Sequence, residues 1–394
     1  MINVELKKEI IEKVRYKIDL HEDIKESEVE KIVAQTVMEV TAGKRMGIGE
    51  KEKLSRECFY SIRKLDILQD FMEDPEITEV MINGHKEIFI EKGGRLLKSD
   101  KTFESKEKLE DVIQQIVAGC NRVVNEKDPI VDARLSDGSR VNIVLSPPAI
   151  VGPIVTVRKF SEKIISMEDL VEFGSLTKEA ADFLSDAVKN GYNCFVSGGT
   201  SSGKTTLLNA LANEIPKESR VITIEDSAEL RINKIPNVVS METRNANSSG
   251  CTEISIRDLI KASLRMRPDR IIVGEVRGEE ALDMLQAFNT GHDGSLSTGH
   301  SNSAYDMLSR LETMVLFAKD LPLPAVRKQI SSAIDILIHL EHTRDGKRRV
   351  VQIMELDKKV SDNITLRPLF VIDNTGKLVK KNDMNFIRKW NKNE

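Results

Sequence analysis

The fold of this chain is decided by one stretch, Gly198-Gly199-Thr200-Ser201-Ser202-Gly203-Lys204-Thr205-Thr206. It fits the pattern G-x-x-x-x-G-K-[ST], in which glycines let backbone amides turn inward on phosphate oxygens. A continuous apolar run, Cys194-Phe195-Val196, precedes the stretch, and a strongly helical run, Leu207 to Ala212, follows it. The N-terminus of such a helix adds a dipole that favours anions. The sequence therefore predicts a phosphate-binding loop (P-loop) between a buried strand and a helix.

The side chains of this loop predict how a nucleotide is held. Lys204 is expected to reach the β- and γ-phosphates, and the hydroxyl of Thr205 is expected to hold Mg²⁺. All nine residues of the loop are predicted to bind the nucleotide. The alternative is a glycine-rich turn without a ligand, but strand, loop, lysine and helix are all in place. ATP and Mg²⁺ are the expected cofactors.

Two further apolar runs end in carboxylates. Arg270-Ile271-Ile272-Val273-Gly274 leads into Glu275, and Val221-Ile222-Thr223-Ile224 leads into Glu225 and Asp226, with Glu229 shortly after. A buried strand that ends in an acid beside a P-loop places a carboxylate near the metal and the attacking water. Glu275 and Glu225 are thus predicted as catalytic residues and Mg²⁺ ligands, and Glu229 as a nucleotide contact. A helix cap is the alternative role for Asp226.

Two of the six histidines, His292 and His300, lie in one stretch rich in Gly, Ser and Thr, residues 290–300. A histidine in such a loop can sense the γ-phosphate or the catalytic water through hydrogen bonds. Both are therefore predicted at the nucleotide site, with His300 as a catalytic residue. Zinc is disfavoured because the loop offers two good ligands and no cysteine.

Composition narrows the function classes. The 394 residues carry 59 Lys and Arg against 63 Asp and Glu, a net charge of −4, and aromatic residues make up 4%. General nucleic-acid binders are usually basic, and single-strand binders stack bases on aromatic rings, so direct nucleic-acid binding is not expected. The four cysteines form no C-x-x-C pair, which argues against a zinc or disulfide framework. Charges near the N-terminus and the lack of a long apolar run predict a cytoplasmic chain.

The pattern of the sequence changes twice along the chain. Residues 1–64 are charge-dense with helical periodicity and predict a helical arm; a membrane-surface helix is the alternative, but acids and bases are mixed. Residues 65–160 alternate short strands with one helix and predict an α+β domain. Residues 161–394 contain continuous apolar runs between helices and predict an α/β domain with a covered, mostly parallel sheet and a C-terminal hairpin over 336–353.

The order and spacing of these motifs resemble the secretion and pilus ATPase superfamily of type II and type IV systems. The P-loop, the Glu225/Glu229 segment, Glu275 and the His292/His300 segment correspond to its Walker A, Asp-box, Walker B and His-box. The segments most similar to the Flp (tight-adherence) pilus assembly ATPases of the CpaF kind are Asp132–Asn142, Arg158-Lys159-Phe160, Met266–Gly278 and Glu280–Ala287. The resemblance covers about residues 65–345.

The resemblance implies a RecA-like motor domain, a smaller N-terminal domain and a homohexameric ring. It also implies that arginines of the smaller domain reach the transferred phosphate, and Arg134, Arg140 and Arg158 are the candidates. A planar, permanently charged guanidinium suits that role, although each could equally be a strand-surface residue. Arg265, Arg267 and Arg277 are expected to serve packing or subunit contacts.

The sequence departs from the family pattern at two positions. Ser201 stands where the family usually has glycine, and Gly299 precedes His300 where a larger residue is expected. The chain also lacks the C-x-x-C insertion common in the type II secretion branch and any motif associated with retraction ATPases.

These features together predict a hexameric, Mg²⁺-dependent ATPase that couples hydrolysis to pilin assembly. It is expected to act peripherally at the inner membrane on a platform protein. A type IV secretion motor for protein or DNA, a nucleotide-gated scaffold with little turnover, and a nucleic-acid motor are the alternatives.

Overall fold

The computed structural model describes residues 4–18, 24–120, 122–160, 164–244, 252–343, 346–358 and 364–385. The chain divides into two compact units, Met1–Glu162 and Lys163–Glu394. Parts of three predicted features lie outside the described residues: residues 161–163 at the start of the predicted α/β domain, Cys251 among the four cysteines, and residues 344–345 within the predicted hairpin.

The first unit begins with three helices that have their own hydrophobic core. These are α1 (Val4–Ile18), α2 (Glu26–Val40) and α3 (Ile48–Arg63), and the shorter α4 (Ile67–Glu73) follows. Their buried apolar residues recur at a spacing of four: Leu6, Ile10, Val14; Val29, Val33, Val37; Leu54, Cys58. This spacing places each set on one face of its helix, so the helices bury these faces against one another. The helical arm is present as predicted.

The rest of the first unit is an antiparallel sheet packed on one helix. The strands are β1 (Ile77–Asn83), β2 (Glu87–Lys92), β3 (Arg95–Lys98), β4 (Ile130–Arg134), β5 (Arg140–Val144) and β6 (Ile154–Arg158), and the helix is α5 (Lys106–Gly119). The sheet order is β3-β2-β1-β6-β5-β4. On β5, Val141 and Ile143 are buried and their neighbours are not, which is the alternation of a sheet with one covered face. That face packs on α5 in a single hydrophobic cluster.

The second unit has a nine-stranded sheet with helices on both faces. Its strands are β7 (Cys194–Gly198), β8 (Val221–Glu225), β9 (Val238–Glu242), β10 (Arg270–Val276), β11 (Leu296–His300), β12 (Ile336–His342), β13 (Arg348–Leu356), β14 (Leu366–Ile372) and β15 (Leu378–Lys380). Its helices are α6 (Met167–Glu172), α7 (Lys178–Lys189), α8 (Lys204–Ala212), α9 (Ile256–Ser263), α10 (Glu280–Phe288), α11 (Ala304–Ala318) and α12 (Leu323–Ala333). The sheet order is β15-β14-β13-β12-β7-β11-β10-β8-β9.

The strands from β12 to β9 in this order run parallel, and β13, β14 and β15 extend the sheet antiparallel. Every residue of β7 and of β8 is buried, because α6–α8 cover one face of the sheet and α9–α12 the other. Burying one large aliphatic side chain stabilises the fold by about 1.5–3 kcal/mol, so these continuous apolar strands belong at the centre. The predicted covered, mostly parallel sheet is confirmed.

Parallel strands bring their carboxyl ends to one edge of the sheet. The ends of β7, β8, β10 and β11 are the points where the sequence placed its P-loop, carboxylates and His300. Open parallel sheets bind ligands at this edge. Within the described ranges, none of the helices combines the length and apolar character needed to cross a bilayer.

Candidate nucleotide-binding site

The P-loop joins β7 to α8, and two glycines give it its shape. A Cβ atom at Gly198 would lie 2.5 Å from the carbonyl oxygen of Leu340 on the neighbouring strand, so only glycine fits there. Gly203 precedes α8 with a φ of +97°, in the left-handed region that favours glycine. Between them, Gly199, Thr200 and Ser201 are exposed. The loop is therefore anchored at both ends and open to solvent at its tip.

Ser201 occupies a position that suits glycine better. Its φ is +57°, and a side chain in the left-handed region costs roughly 1–2 kcal/mol. This conformation explains why glycine is usual at that place in the family pattern. The loop keeps its shape with serine at an energetic cost.

Lys204 is the first residue of α8, and its side chain is held within the loop. Its Nζ donates to the carbonyl oxygen of Gly199 at 2.7 Å and lies 3.2 Å from Nδ1 of His300. An ammonium group has only donors, so Nδ1 of His300 accepts and the ring proton sits on Nε2. That nitrogen lies 2.8 Å from Oε1 of Glu275. One imidazole thus connects the loop lysine to the carboxylate of β10.

The surroundings of His300 keep it neutral. Burial lowers the pKa of His300 below its ordinary value of 6.5, and the charge of Lys204 lowers it further, while Glu275 opposes both. The neutral form is the one that accepts from Lys204, so the electrostatics and the hydrogen-bond geometry agree.

Glu275 also contacts Arg277, the first residue after β10. The guanidinium donates to Oε2 of Glu275 from Nε at 2.9 Å and from Nη2 at 2.6 Å. This hydrogen bond is the main cause that raises the pKa of Arg277. Arg277, expected to serve packing or subunit contacts, thus packs its guanidinium on the predicted catalytic carboxylate.

Glu225 has a different environment from Glu275. It is buried, and its Oε1 accepts from the backbone amides of Glu229 at 3.0 Å and Leu230 at 3.1 Å. Gly274 makes room for it, since a Cβ there would lie 2.9 Å from Cγ of Glu225. The carboxylate of Glu225 therefore holds the backbone of the segment after β8 in place. Glu229 contacts this carboxylate with its backbone amide.

His292 does not join this group. In the pairing of β11 with β7, Leu296 lies opposite Cys194 and His300 opposite Gly198. His292 precedes Leu296 and therefore lies toward the amino edge, where its Nδ1 is 3.0 Å from the carbonyl oxygen of Ala287. The structure therefore does not bring His292 together with Lys204, His300 and Glu275, and its role at the nucleotide site stays a prediction.

Gly299 is explained by packing on the face of the sheet that α11 covers. A Cβ at this position would lie 2.9 Å from both Sδ and Cε of Met307 and 3.1 Å from Cε1 of Phe195. A larger residue next to His300 would therefore require the side chain of Met307 to move away from the sheet.

A cavity of about 190 Å³ adjoins the P-loop on the other side of β7. Its lining is mostly apolar: Ile165, Leu170, Phe173, Ser175, Leu176, Ser202, Gly203, Thr206, Leu207, Leu340, Arg348 and Val350. Local patterns in the sequence do not predict this cavity, because its walls come from four separate segments of the chain: 165–176, 202–207, 340 and 348–350. Mostly apolar pockets with a few polar groups are typical ligand sites.

The three candidate arginines of the first unit form a row across its sheet. Arg134 pairs in register with Arg140, and Arg140 pairs with Arg158. Directly opposed residues on antiparallel strands share one face, and like charges there are destabilising. Nε of Arg134 donates to the carbonyl oxygen of Gly138 at 3.3 Å, and its guanidinium lies 5.9 Å from the ring centroid of Phe160. The register therefore places the three arginines side by side on neighbouring strands, on one face of the sheet.

The second unit suits a nucleotide with Mg²⁺. The loop tip is open, the lysine points into it, and the hydroxyl of Thr205 follows on the first turn of α8. Among the described residues no group of three or more His, Cys, Asp and Glu could hold a metal by itself. Mg²⁺ usually takes one or two protein ligands and fills the rest of its coordination sphere with phosphate oxygens and water.

Sequence comparison places the chain in a family. A family model described as "Type II/IV secretion system protein" matches residues 63–367. The chain belongs to this family. A putative conjugal transfer protein of Mycobacterium tuberculosis is 31% identical over 296 residues, covering 74% of this chain and 84% of the relative. The type IV secretion system protein PtlH of Bordetella pertussis is 32% identical over 319 residues, covering 74% of this chain and 94% of PtlH.

A solved structure supports the fold of this type II/IV secretion family member. The Legionella pneumophila ATPase DotB matches with a TM-score of 0.52 and 22% identity, over 74% of this chain and 80% of DotB. The fold is that of the RecA-like secretion ATPases, with a smaller N-terminal domain, as the motifs predicted.

Proposed function

We propose that this chain hydrolyses ATP with Mg²⁺ and uses the energy to drive a secretion or pilus machine. One observation carries the proposal: Lys204 of the P-loop, His300 and Glu275 form one continuous chain of contacts at the carboxyl edge of the sheet. Lysine, histidine and carboxylate are the groups that phosphoryl transfer to water needs in order to hold phosphate and to orient the nucleophile. The chain's membership in the type II/IV secretion system protein family supports the same reaction.

The triphosphate would lie on the P-loop. The backbone amides of residues 198–206 and the N-terminus of α8 would hold its phosphates, with Lys204 leaving Gly199 to pair with the β- and γ-phosphates. The adjoining cavity, with Ser202 and Thr206 in its wall, would take the base or ribose. Mg²⁺ supplies charge neutralisation between the phosphates when it is bound, and Thr205, Glu275 and Glu225 are its proposed ligands.

Glu275 is proposed to orient and activate water, with Glu225 assisting. Once Lys204 turns to the phosphates, Nδ1 of His300 loses its donor and becomes free to meet a proton or a water near the γ-phosphate. His300 would thus register whether the γ-phosphate is present, while Nε2 stays directed at Glu275. The displaced contacts are single hydrogen bonds from a charged donor, each with a net contribution of about 1.5–3 kcal/mol, and the ammonium regains charged partners on the phosphates.

Arg134, Arg140 and Arg158 are proposed to contact the transferred phosphate. The cross-strand row supports this role, because the register places three arginines side by side on one face of the sheet. Permanently charged, planar groups suit the developing charge of the transferred phosphoryl group.

Three domains are proposed for this motor: 1–64, 65–160 and 161–394. The helical arm and the α+β sheet each have a hydrophobic cluster of their own, which supports the first division. The proposed assembly is a homohexamer docked on an inner-membrane platform protein. The segments around Asp132–Asn142 and Met266–Gly278 support a role in Flp-type pilus assembly.

Export of protein or DNA by a type IV secretion system is the second candidate. It is supported by the names of the two relatives, a putative conjugal transfer protein and a type IV secretion system protein. A deletion strain distinguishes the two: loss of surface filaments supports pilus assembly, and loss of effector or DNA transfer supports secretion.

ATP hydrolysis itself is tested with purified Lys204→Ala and Glu275→Ala variants. Each is expected to lower steady-state turnover at least ~100-fold, the usual loss when one stabilising group of an active site is removed. Retention of full turnover in either variant would overturn the assignment. Turnover near zero in the unaltered chain, with and without its membrane partner, would favour a nucleotide-gated scaffold instead.

A further inference from the structure

His339 is a buried histidine that the proposed reaction does not use. It lies on β12 with 1% of its surface exposed, and in the parallel pairing of β12 with β7 it stands opposite Ser197. Ser197 is the residue immediately before Gly198, where the P-loop begins. A histidine is unusual at a fully covered position between strands of aliphatic residues, so its contacts explain its presence.

The imidazole binds the start of the P-loop. Nδ1 of His339 lies 2.9 Å from Oγ of Ser197, which in turn lies 3.2 Å from the carbonyl oxygen of Ile338. A serine hydroxyl has one proton. When that proton is given to Ile338, the proton of the Ser197–His339 contact comes from Nδ1. Two consecutive hydrogen bonds then link β12 to β7: the imidazole of His339 donates to the hydroxyl of Ser197, and that hydroxyl donates to the carbonyl oxygen of Ile338.

The loop start that His339 contacts is bonded in turn to the segment that follows His300. The amide of Ser301 donates to the carbonyl oxygen of Gly198, the residue after Ser197, at 3.3 Å. The charged groups near the ring come from three elements: Glu341 on β12, Asp306 on α11 and Lys204 on α8. Burial is the main cause that lowers the pKa of His339, so the ring is a neutral hydrogen-bonding group at neutral pH.

Resting on the proposed nucleotide site, we propose that His339 is a positioning residue that fixes the P-loop and the His300 segment relative to each other. A triphosphate meets both segments, since its α- and β-phosphates lie on the loop and its γ-phosphate meets His300. A diphosphate meets only the loop. His339 therefore determines how well the site prefers ATP over ADP, without contacting either nucleotide.

The test is a comparison of dissociation constants for ADP and a non-hydrolysable ATP analogue, with Mg²⁺, measured on the full chain. His339→Leu keeps much of the volume and removes the hydrogen bonds. It is expected to reduce the preference for the ATP analogue about three- to tenfold, the equivalent of one buried hydrogen bond. His339→Gln, which retains a donor and an acceptor, is expected to recover most of that preference.

Ser197→Ala tests whether the effect passes through the loop. It is expected to cause the same loss as His339→Leu, and the double variant is expected to be no worse than either single one, because both remove one shared contact. Ser197→Ala leaves the histidine in place, so it tests the proposal even if His339→Leu folds poorly. His342→Leu, on the exposed end of the same strand, is the matched control and is expected to leave the preference unchanged.

An unchanged preference in His339→Leu and Ser197→Ala, with nucleotide still bound, would overturn the proposal. A fall in thermal stability with equal weakening of both nucleotides would also overturn it, since that is what a purely structural histidine produces. Failure of the unaltered chain to bind either nucleotide is a different result, because it removes the proposed function as well.

Discussion

The large sheet carries polar side chains both at the amino ends and at the carboxyl ends of its parallel strands. The two groups differ in what those side chains contact. At the amino edge, Oδ1 of Asn193 accepts from the amides of Gly294 and Ser295 at 2.7 and 2.9 Å, and its Nδ2 donates to the carbonyl oxygen of Ala333 at 2.7 Å. At the carboxyl edge, Lys204, His300 and Glu275 contact one another through side chains.

The two groups of side chains differ in how readily each can exchange its hydrogen-bond partner for a ligand. A side chain bonded to several backbone groups of a rigid sheet has no alternative partner, so the amino edge stabilises the fold. Side chains that share protons among themselves can turn to a ligand at small cost. The comparison teaches that Lys204, His300 and Glu275 are the functional candidates, because they contact one another at the edge where open parallel sheets bind ligands.

Arg270 illustrates the rigid edge most clearly. It is fully buried, burial lowers its pKa to about 10, and its Nη1 donates to the carbonyl oxygen of Val188 at 3.1 Å. A Cβ at Gly294 would lie 1.2 Å from that nitrogen. The guanidinium therefore passes directly beneath this glycine.

The largest expected effect is on this edge. Gly294→Ala is expected to destabilise the chain by about 3 kcal/mol, because it combines overpacking with a side chain in the left-handed region. Chemical denaturation measures the loss. Gly291→Ala is the control, since Gly291 has a φ of +94° but no atom within 4 Å of its Cβ position, and it is expected to show the backbone cost alone. ATP turnover per folded molecule that fell in Gly294→Ala would contradict a purely structural amino edge.

A smaller effect is expected at the tip of the P-loop. Ser201→Gly relieves the left-handed conformation of Ser201 and is expected to raise the free energy of unfolding by about 1 kcal/mol or less. Thr200→Gly serves as the control, because Thr200 has no positive φ and glycine there only adds freedom to the unfolded chain. Equal stability changes in the two variants would show that Ser201 is not strained.

The smallest effect is expected for Arg277. Its side chain is 63% exposed, so its pair with Glu275 is weakened by solvent. Arg277→Gln is expected to lower kcat about threefold with little change in KM, since the pair orients Glu275 without contacting substrate. Arg265→Gln, also exposed, is the control. A hundredfold loss in Arg277→Gln would mean that Arg277 itself meets the phosphate, and the carboxyl edge would then need a new description.

Local patterns in the sequence predicted the core of this fold. The P-loop and the buried strands before Glu225 and Glu275 follow from short segments in which glycines, apolar runs and acids stand next to one another. Parallel pairing then brings their ends together without further information. The helical arm follows from its apolar spacing in the same way.

The remaining features depend on register, which local patterns do not contain. His292 and His300 are eight positions apart, but the strand between them carries them to different edges, since each residue of a strand advances about 3.3 Å. His339 becomes a neighbour of Ser197 only through pairing across 142 positions. The contact of Arg277 with Glu275 and the apolar cavity likewise need the positions of separate segments.

The bond from Lys204 to the carbonyl oxygen of Gly199 has a kinetic consequence. The loop holds a cationic group of its own, so a nucleotide that binds there competes with Lys204, and one that leaves is replaced by it. Such competition weakens binding of every nucleotide while it lowers the barrier to dissociation of the product. In the motor proposed above, which would release ADP before its next stroke, a loop that closes on its own lysine favours cycle rate over tight retention.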